Sequence, residues 1–198
     1  MSLPDGYTDL AAGKVANVQT ALEMFAKPPL RADACDLPLV LVRHDPVDLA
    51  WYRALFRRVG EPHLWFSRLA MSDLELAHVV CDARVEVYAV QSEREAIGLV
   101  ELDFRQPDEC ELVFFGVIDS AVGIGAGRWM MNRAIERAWS MPIHRFWVHT
   151  CTLDHPGALS FYIRSGFRPF KRQIEVFDDP RLTGLFSPTA APDVPIIR

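Results

Sequence analysis

Three glycines, Gly123, Gly125 and Gly127, alternate through "VGIGAGRWMM" (122–131), and Arg128 follows at once. Glycine at this density costs order, so a backbone requirement is expected there. A strand-like run precedes the loop and a helical pattern follows it. In that setting the first amides of the helix lack internal partners, and the helix dipole favours negative charge beside them. The loop therefore reads either as an anion cradle or as a plain glycine-rich connection. It lacks the G-K-[ST] of a nucleoside-triphosphate loop. Its GxGxG spacing also departs from the dinucleotide fingerprint, and the next strand carries Trp147 and His149 where that fingerprint wants an acid.

A second group, His149, Cys151 and His155, lies close together in sequence. A zinc site would need further ligands in a defined geometry, and Cys35, Cys81 and Cys110 show no matching spacing, so no metal is expected. Cys151 could serve as an acyl-enzyme nucleophile only with an oriented base. The plainer expectation is that His149 and Cys151 line a cleft or a sheet face.

The elements that must position these residues follow from periodicity and punctuation. "GKVANVQTALEMF" alternates and leans towards a strand, with a short helix as the other reading. Residues 37–44 read as a buried strand. A helix follows from Asp45-Pro46 to the stop at Gly60, with Leu49, Tyr52, Leu55, Phe56 and Val59 on one face. Ser72 and Glu75 form a capping box that opens a helix over 72–82. Strands are expected at 85–92, 96–105 and 110–118, and Gly116 inside the third signals a bulge or a close backbone approach. After the glycine loop come a helix, a strand at 144–153, a helix over 156–167 ended by Gly166, and a strand at 168–177. This order predicts an α+β fold, with helices packed on a mixed, mainly antiparallel sheet.

The 198 residues carry a net charge near −5 and are half apolar, which suits one domain with a sizeable core. The acidic balance argues against a nucleic-acid partner. No apolar run is long enough for a membrane span, and "MSLPDGYTDL" lacks the basic start of a secretory signal. With four scattered cysteines, a cytoplasmic protein with reduced thiols is expected. The expected division is an N-terminal extension over 1–37 that adds a strand, a domain over 38–177, and a proline-rich tail over 178–198.

"ELVFFGVIDSAVGIGAGRWMMNRAIERA" resembles motif A of the GNAT superfamily of acyl-CoA-dependent N-acetyltransferases. In the superfamily pattern [QR]-x-x-G-x-[GA], Gly125 and Gly127 hold their places and Val122 replaces the leading Gln or Arg. "HPGALSFYIRSGF" resembles motif B, with Ala158, Tyr162, Gly166 and Phe167 in register and His155 in place of the usual Asn. The resemblance implies a splayed pair of central strands, with a cleft between the 110–118 strand and the 144–153 strand. It implies that the backbone of Phe115 to Val117 holds the pantetheine arm of acetyl-CoA. The amides from Gly123 to Arg128, with His155 nearby, would hold the pyrophosphate end.

The resemblance also assigns chemistry. "ELVF" is similar to the segment that carries the base in GNAT histone acetyltransferases, which makes Glu111 the candidate base, or else an ordinary strand-end carboxylate. Strand parity places Glu111 on the face of Val113 and Phe115. Glu101 and Asp103 on the neighbouring strand, or a water chain, are rivals. Tyr162 takes the position of the general acid, or else packs its ring between helix and sheet. Neutralising a lysine-like amine at pH 7 is the larger task, about 4.6 kcal/mol, against about 2 kcal/mol for protonating a thiolate. Glu111→Gln is therefore predicted to slow turnover more than Tyr162→Phe at neutral pH, with partial rescue as pH rises.

The expected activity is direct acetyl transfer to a small-molecule or peptide amine in a ternary complex. A GNAT-fold module that binds acyl-CoA without catalysis is the alternative. A homodimer is the commonest assembly for such a chain. The aromatic, basic stretch 51–69 is expected to pack a core and to shape the acceptor side.

Overall fold

The computed structural model describes residues 3–33 and 35–198. Its centre is one seven-stranded sheet in the order β2-β3-β4-β5-β6-β1-β7. The strands are β1 (Lys14–Met24), β2 (Leu39–His44), β3 (Val85–Ser92), β4 (Glu95–Asp103), β5 (Glu109–Val117), β6 (Arg145–Cys151) and β7 (Arg168–Asp178). Every neighbouring pair is antiparallel except β5 with β6. Helices α1 (Leu49–Gly60), α2 (Ser67–Ala70) and α3 (Asp73–Val80) belong to one face, and α4 (Ala126–Ala138) and α5 (Ala158–Arg164) to the other. The mixed α+β architecture expected from the element order is present.

Each face buries its own apolar set. Tyr52, Phe56, Leu76 and Val80 of α1 and α3 meet Val87, Ala89 and Leu99 of the sheet. Met130, Met131, Ile135 and Tyr162 of α4 and α5 meet Leu22, Leu112, Phe146 and Val148. Helix α1 begins later than the Asp45-Pro46 signal suggests. Its cap is Asp48, whose Oδ1 accepts from the Trp51 amide at 2.8 Å. The Ser72–Glu75 capping box is present at α3.

Two segments differ from the sequence expectation, and a third meets it in an interior position. β2 is half-exposed, because it pairs only with β3 at the sheet's end, and Val40 is 57% exposed. The N-terminal segment does form a strand, and β1 lies inside the sheet between β6 and β7. A boundary at residue 37 therefore runs through one sheet. Residues 178–198 are folded rather than a loose tail. Arg181 and Asp179 form a buried ion pair at 2.7 Å, and the Arg181 guanidinium donates to the carbonyls of Ala190, Ala191 and Val194. That hub lays Phe186, Ala190 and Ala191 against Leu64, Phe66 and Leu69.

Candidate active site

β5 and β6 pair only from Glu109–Arg145 to Leu112–Val148. Beyond Leu112 β5 stays with β4, while His149–Cys151 of β6 stay with β1, and the two strands part. A cavity of about 680 Å³ opens in the gap. On one side it meets Phe115, Val117, Gly123, Gly127, His155 and Tyr162. On the other it meets His149, Cys151, Trp65, Phe66, Asn17 and Glu175.

The glycine loop delivers the first of these sides. Gly123 and Gly125 have φ of +86° and +89°, which a side chain disfavours, and Gly125 is the N-cap of α4. Its carbonyl takes the amides of Arg128 and Trp129 at 3.1 and 3.2 Å. Among the described residues the amides from Gly123 to Gly127 have no partner. The amide of Arg128 is thus already engaged. Its guanidinium also turns from the cavity towards the Ala32 carbonyl, at 3.5 Å. The segment around Asp33 straps across α4, where Asn132 and Arg133 hold the Asp33 carboxylate.

His155 lines the cavity, and its Nδ1 accepts from the Gly157 amide at 3.0 Å. That bond leaves the ring proton on Nε2. Tyr162 is 6% exposed, and its ring packs among Phe115, Phe161 and Phe167. Burial pushes its hydroxyl well above the usual phenol range, and the negative charge of Asp154 adds to this. The hydroxyl therefore keeps its proton throughout the neutral range.

The placement of Glu111 departs from simple alternation. The β4–β5 register shifts between Glu101–Phe114 and Leu102–Leu112, which leaves Val113 as an extra residue. After this bulge Leu112 and Phe115 both join the α4/α5 core, while Phe114 joins the α1/α3 core. Glu111 consequently lies on the face opposite Phe115, not beside it. There its Oε1 stands 3.4 Å from His149 Nδ1. His149 lines the cavity and the Glu111 carboxylate stands behind it. Contact with Glu111 holds the His149 imidazole above its ordinary value, against the opposing effect of burial.

The other carboxylates considered from sequence are engaged elsewhere. Glu101 is fully buried, takes a hydrogen bond from the Tyr52 hydroxyl, and pairs with Arg68 at 2.6 Å. Asp103 is clasped by the Arg105 guanidinium at 2.6–3.1 Å. Cys151 lines the cavity, yet burial and the charge of Asp154 push its thiol up to about 11. A thiol of that kind is a poor nucleophile at neutral pH.

The roof is Trp65, which follows α1 through a short 3₁₀ turn at Glu61–His63. Its Nε1 donates to Asp154 Oδ1 at 2.9 Å, and Asp154 Oδ2 accepts from Thr150 Oγ1 and the Cys151 amide. The tryptophan also explains Gly116. A Cβ there would stand 2.7 Å from Val59 Cγ1 and 3.1 Å from the Trp65 ring. The glycine marks a close approach across the sheet. Trp65, Asp154, Asn17 and Glu175 carry no sequence motif. Their partners lie 89 to 158 residues away, so local patterns do not reveal them.

The model of the Acetyltransferase (GNAT) family matches residues 49–167. A comparison with curated proteins gives no match. Among solved structures, a GCN5-related N-acetyltransferase from Sphaerobacter thermophilus aligns with a TM-score of 0.58 at 13% identity, covering 82% of this chain and 51% of that one. A GNAT family acetyltransferase from Elizabethkingia anophelis, solved with acetyl-CoA bound, gives 0.52 at 17% identity, over 67% of this chain and 78% of that one. The Bacillus subtilis acetyltransferase in complex with CoA gives 0.51 at 22% identity, over 66% and 76%. The chain thus spans about half the length of the Sphaerobacter protein, and at these identities the likeness concerns the fold. The family match covers well over half of the chain, and it includes both the glycine loop and the Tyr162 helix. The chain belongs to the GNAT acetyltransferase family.

Proposed function

We propose that the protein is an N-acetyltransferase that moves the acetyl group of acetyl-CoA directly to an amine within a ternary complex. One observation carries the reading. A single cavity joins a helix N-terminus with unpartnered amides to an imidazole–carboxylate pair, through the gap where β5 and β6 part.

The donor side fits the cofactor. The amides of Gly123 to Gly127 and the dipole of α4 suit a pyrophosphate, and no atom stands within 4 Å of a Cβ built on Gly123. His155 offers a further N–H from Nε2. The edge of Phe115 to Val117 that β6 leaves free suits the amides of a pantetheine arm. Acetyl-CoA supplies an activated thioester carbonyl.

The protein's own groups manage protons. His149, neutral above its raised pKa, accepts the proton of the incoming ammonium, and Glu111 orients the ring and stabilises the imidazolium. Tyr162 donates a hydrogen bond to the departing sulfur. With its pKa raised by burial it stabilises the thiolate without giving up its own proton. The apolar walls of Phe114, Phe115 and Trp65 limit water around the thioester.

Release of free thiol from acetyl-CoA, measured across a panel of amines, tests the reading. Turnover with at least one amine, lost in His149→Gln, is the expected result. Tight CoA binding with no thiol release for any amine would instead make the protein a non-catalytic acyl-CoA-binding module.

A further inference from the structure

Facing the glycine loop across the cavity is a carboxylate with no ion-pair partner among the described residues. Glu175 of β7 lies on the cavity wall. Its Oε2 accepts from Asn17 Nδ2 and from Gln19 Nε2, both at 2.9 Å. Two neutral amides thus fix the carboxylate. Among the described residues no Lys, Arg or His pairs with it, and its Oε1 accepts no hydrogen bond. Asn17 is 4% exposed, and its Oδ1 is a buried acceptor without a partner. This corner therefore holds oriented acceptors and lacks donors. Elsewhere along the wall, Asp154 is fully engaged by Trp65, Thr150 and Cys151, and Arg68 is committed to Glu101.

Resting on the acetyltransferase reading, we infer that the acceptor is a long diamine, whose second, protonated nitrogen is received by Glu175 beside Asn17 while the first reacts at His149. The strand register sets the spacing. His149 pairs with Ala21 of β1, and Glu175 pairs with Asn17. The two residues are thus two strands apart and four residues apart along β1. That offset is about 10 Å across and about 13 Å along the sheet. Gln19 and Cys151 lie between them on the cavity wall. Above this polar floor Trp65 and Phe66 form an aromatic roof, and the Phe66 ring packs tilted against Phe177 with centroids 4.7 Å apart, two residues beyond Glu175. A methylene chain suits the space between floor and roof, and an ammonium suits a carboxylate flanked by aromatic faces. The charge of Glu175 helps to hold up the His149 imidazole, yet no cation pairs with it directly among the described residues, so an ammonium there gains a partner that a neutral tail does not supply.

The test compares α,ω-diaminoalkanes with n-alkylamines of equal length as acceptors in the thiol-release assay. For chains of about eight to twelve methylenes, which match the register distance, the diamine is expected to exceed the monoamine at least tenfold in kcat/KM. Glu175→Gln is expected to collapse that ratio towards one, and Glu175→Asp to retain most of it. A floor that merely misfolds would lower both amine classes together. Calorimetric binding of 1,12-diaminododecane to the CoA complex reads the same site without turnover, and there Glu175→Gln should raise Kd at least tenfold. Equal binding to both proteins, no binding to either, or a length-matched monoamine as good as the diamine would overturn the inference. Diamine binding that depends on Glu175, with no thiol release for any amine, would overturn the acetyltransferase reading alone.

Discussion

Glu111→Gln separates a carboxylate that takes the amine's proton from one that tunes the imidazole which does. Glu111 Oε1 lies 3.4 Å from His149 Nδ1. Two unit charges at that distance interact by about 1.2 kcal/mol with the screening of water and about 4.9 kcal/mol at an effective dielectric constant of about 20. The side chains of His149 and Glu111 keep 38% and 23% of their exposure, so the solvent-screened value is the appropriate guide. The sign follows from the direction of the shift. Glu111 favours the imidazolium and holds the His149 pKa above its ordinary value, so its removal lowers that pKa. Because the base acts when neutral, activity rises as pH climbs through this pKa. In Glu111→Gln the acid limb of kcat/KM should therefore move to lower pH. The plateau should fall by about threefold, since a weaker base transfers protons less effectively. His149→Gln should lose on the order of a hundredfold or more at the plateau. The assay is thiol release from pH 5 to 9 with one acceptor throughout, so that the acceptor's own ionisation cancels in the ratio of variant to wild type. An unmoved acid limb in Glu111→Gln would refute the coupling. Loss of turnover in Glu111→Gln with retention in His149→Gln would make Glu111 the base itself.

Tyr162→Phe keeps the ring's packing and removes only the hydroxyl. Turnover should fall by up to about thirtyfold, the equivalent of about 2 kcal/mol, with CoA affinity unchanged by calorimetry. That loss exceeds the one expected for Glu111→Gln, which reverses the order drawn from sequence, because in the proposed mechanism His149 carries the larger task. Gly116→Val should drive a side chain into Val59 and the Trp65 ring. It should cost about 1–3 kcal/mol in denaturant unfolding and raise the acceptor KM more than the CoA Kd. Arg68→Ala leaves Glu101 buried without its cation and should cost about 3–5 kcal/mol. The triple variant Arg68→Met/Glu101→Leu/Tyr52→Phe, which also removes the buried hydroxyl that Glu101 satisfies, should recover much of that stability in the same unfolding measurement.

The donor side of the site was legible in the sequence because it is built from local chain. A glycine loop, the strand before it and the helix after it are contiguous, and backbone amides need no particular side chains to bind an anion. Phe115, Val117, Gly123, Gly127 and Tyr162 stand on the cavity wall, while Gly125 caps α4 without lining it. Arg128 is the exception. Its partner is a carbonyl 96 residues earlier, in a segment without any pattern. Parity failed at Glu111 for a related reason. A single extra residue at Val113 reverses the alternation, and only pairing with β4 reveals the bulge.

The opposite wall, proposed to receive the acceptor, was not legible, since it is assembled from segments that meet only in the folded chain. Asn17 and Gln19 come from an N-terminal strand, Glu175 from the last strand, Trp65 from a turn after α1, and Asp154 from the loop after β6. The C-terminal residues, read as a tail, pack on Leu64 and Phe66 and so support the roof. By itself the sequence determined the element types, the Ser72–Glu75 capping box, the family and the glycine loop that opens α4, because those depend on short-range periodicity and backbone geometry. The tertiary structure alone decided the interior place of β1, the position of Glu111 behind His149, and the placing of Glu175 on the cavity wall without an ion-pair partner among the described residues. Each depends on the register between strands far apart in the chain, where a shift of one residue turns a side chain to the opposite face.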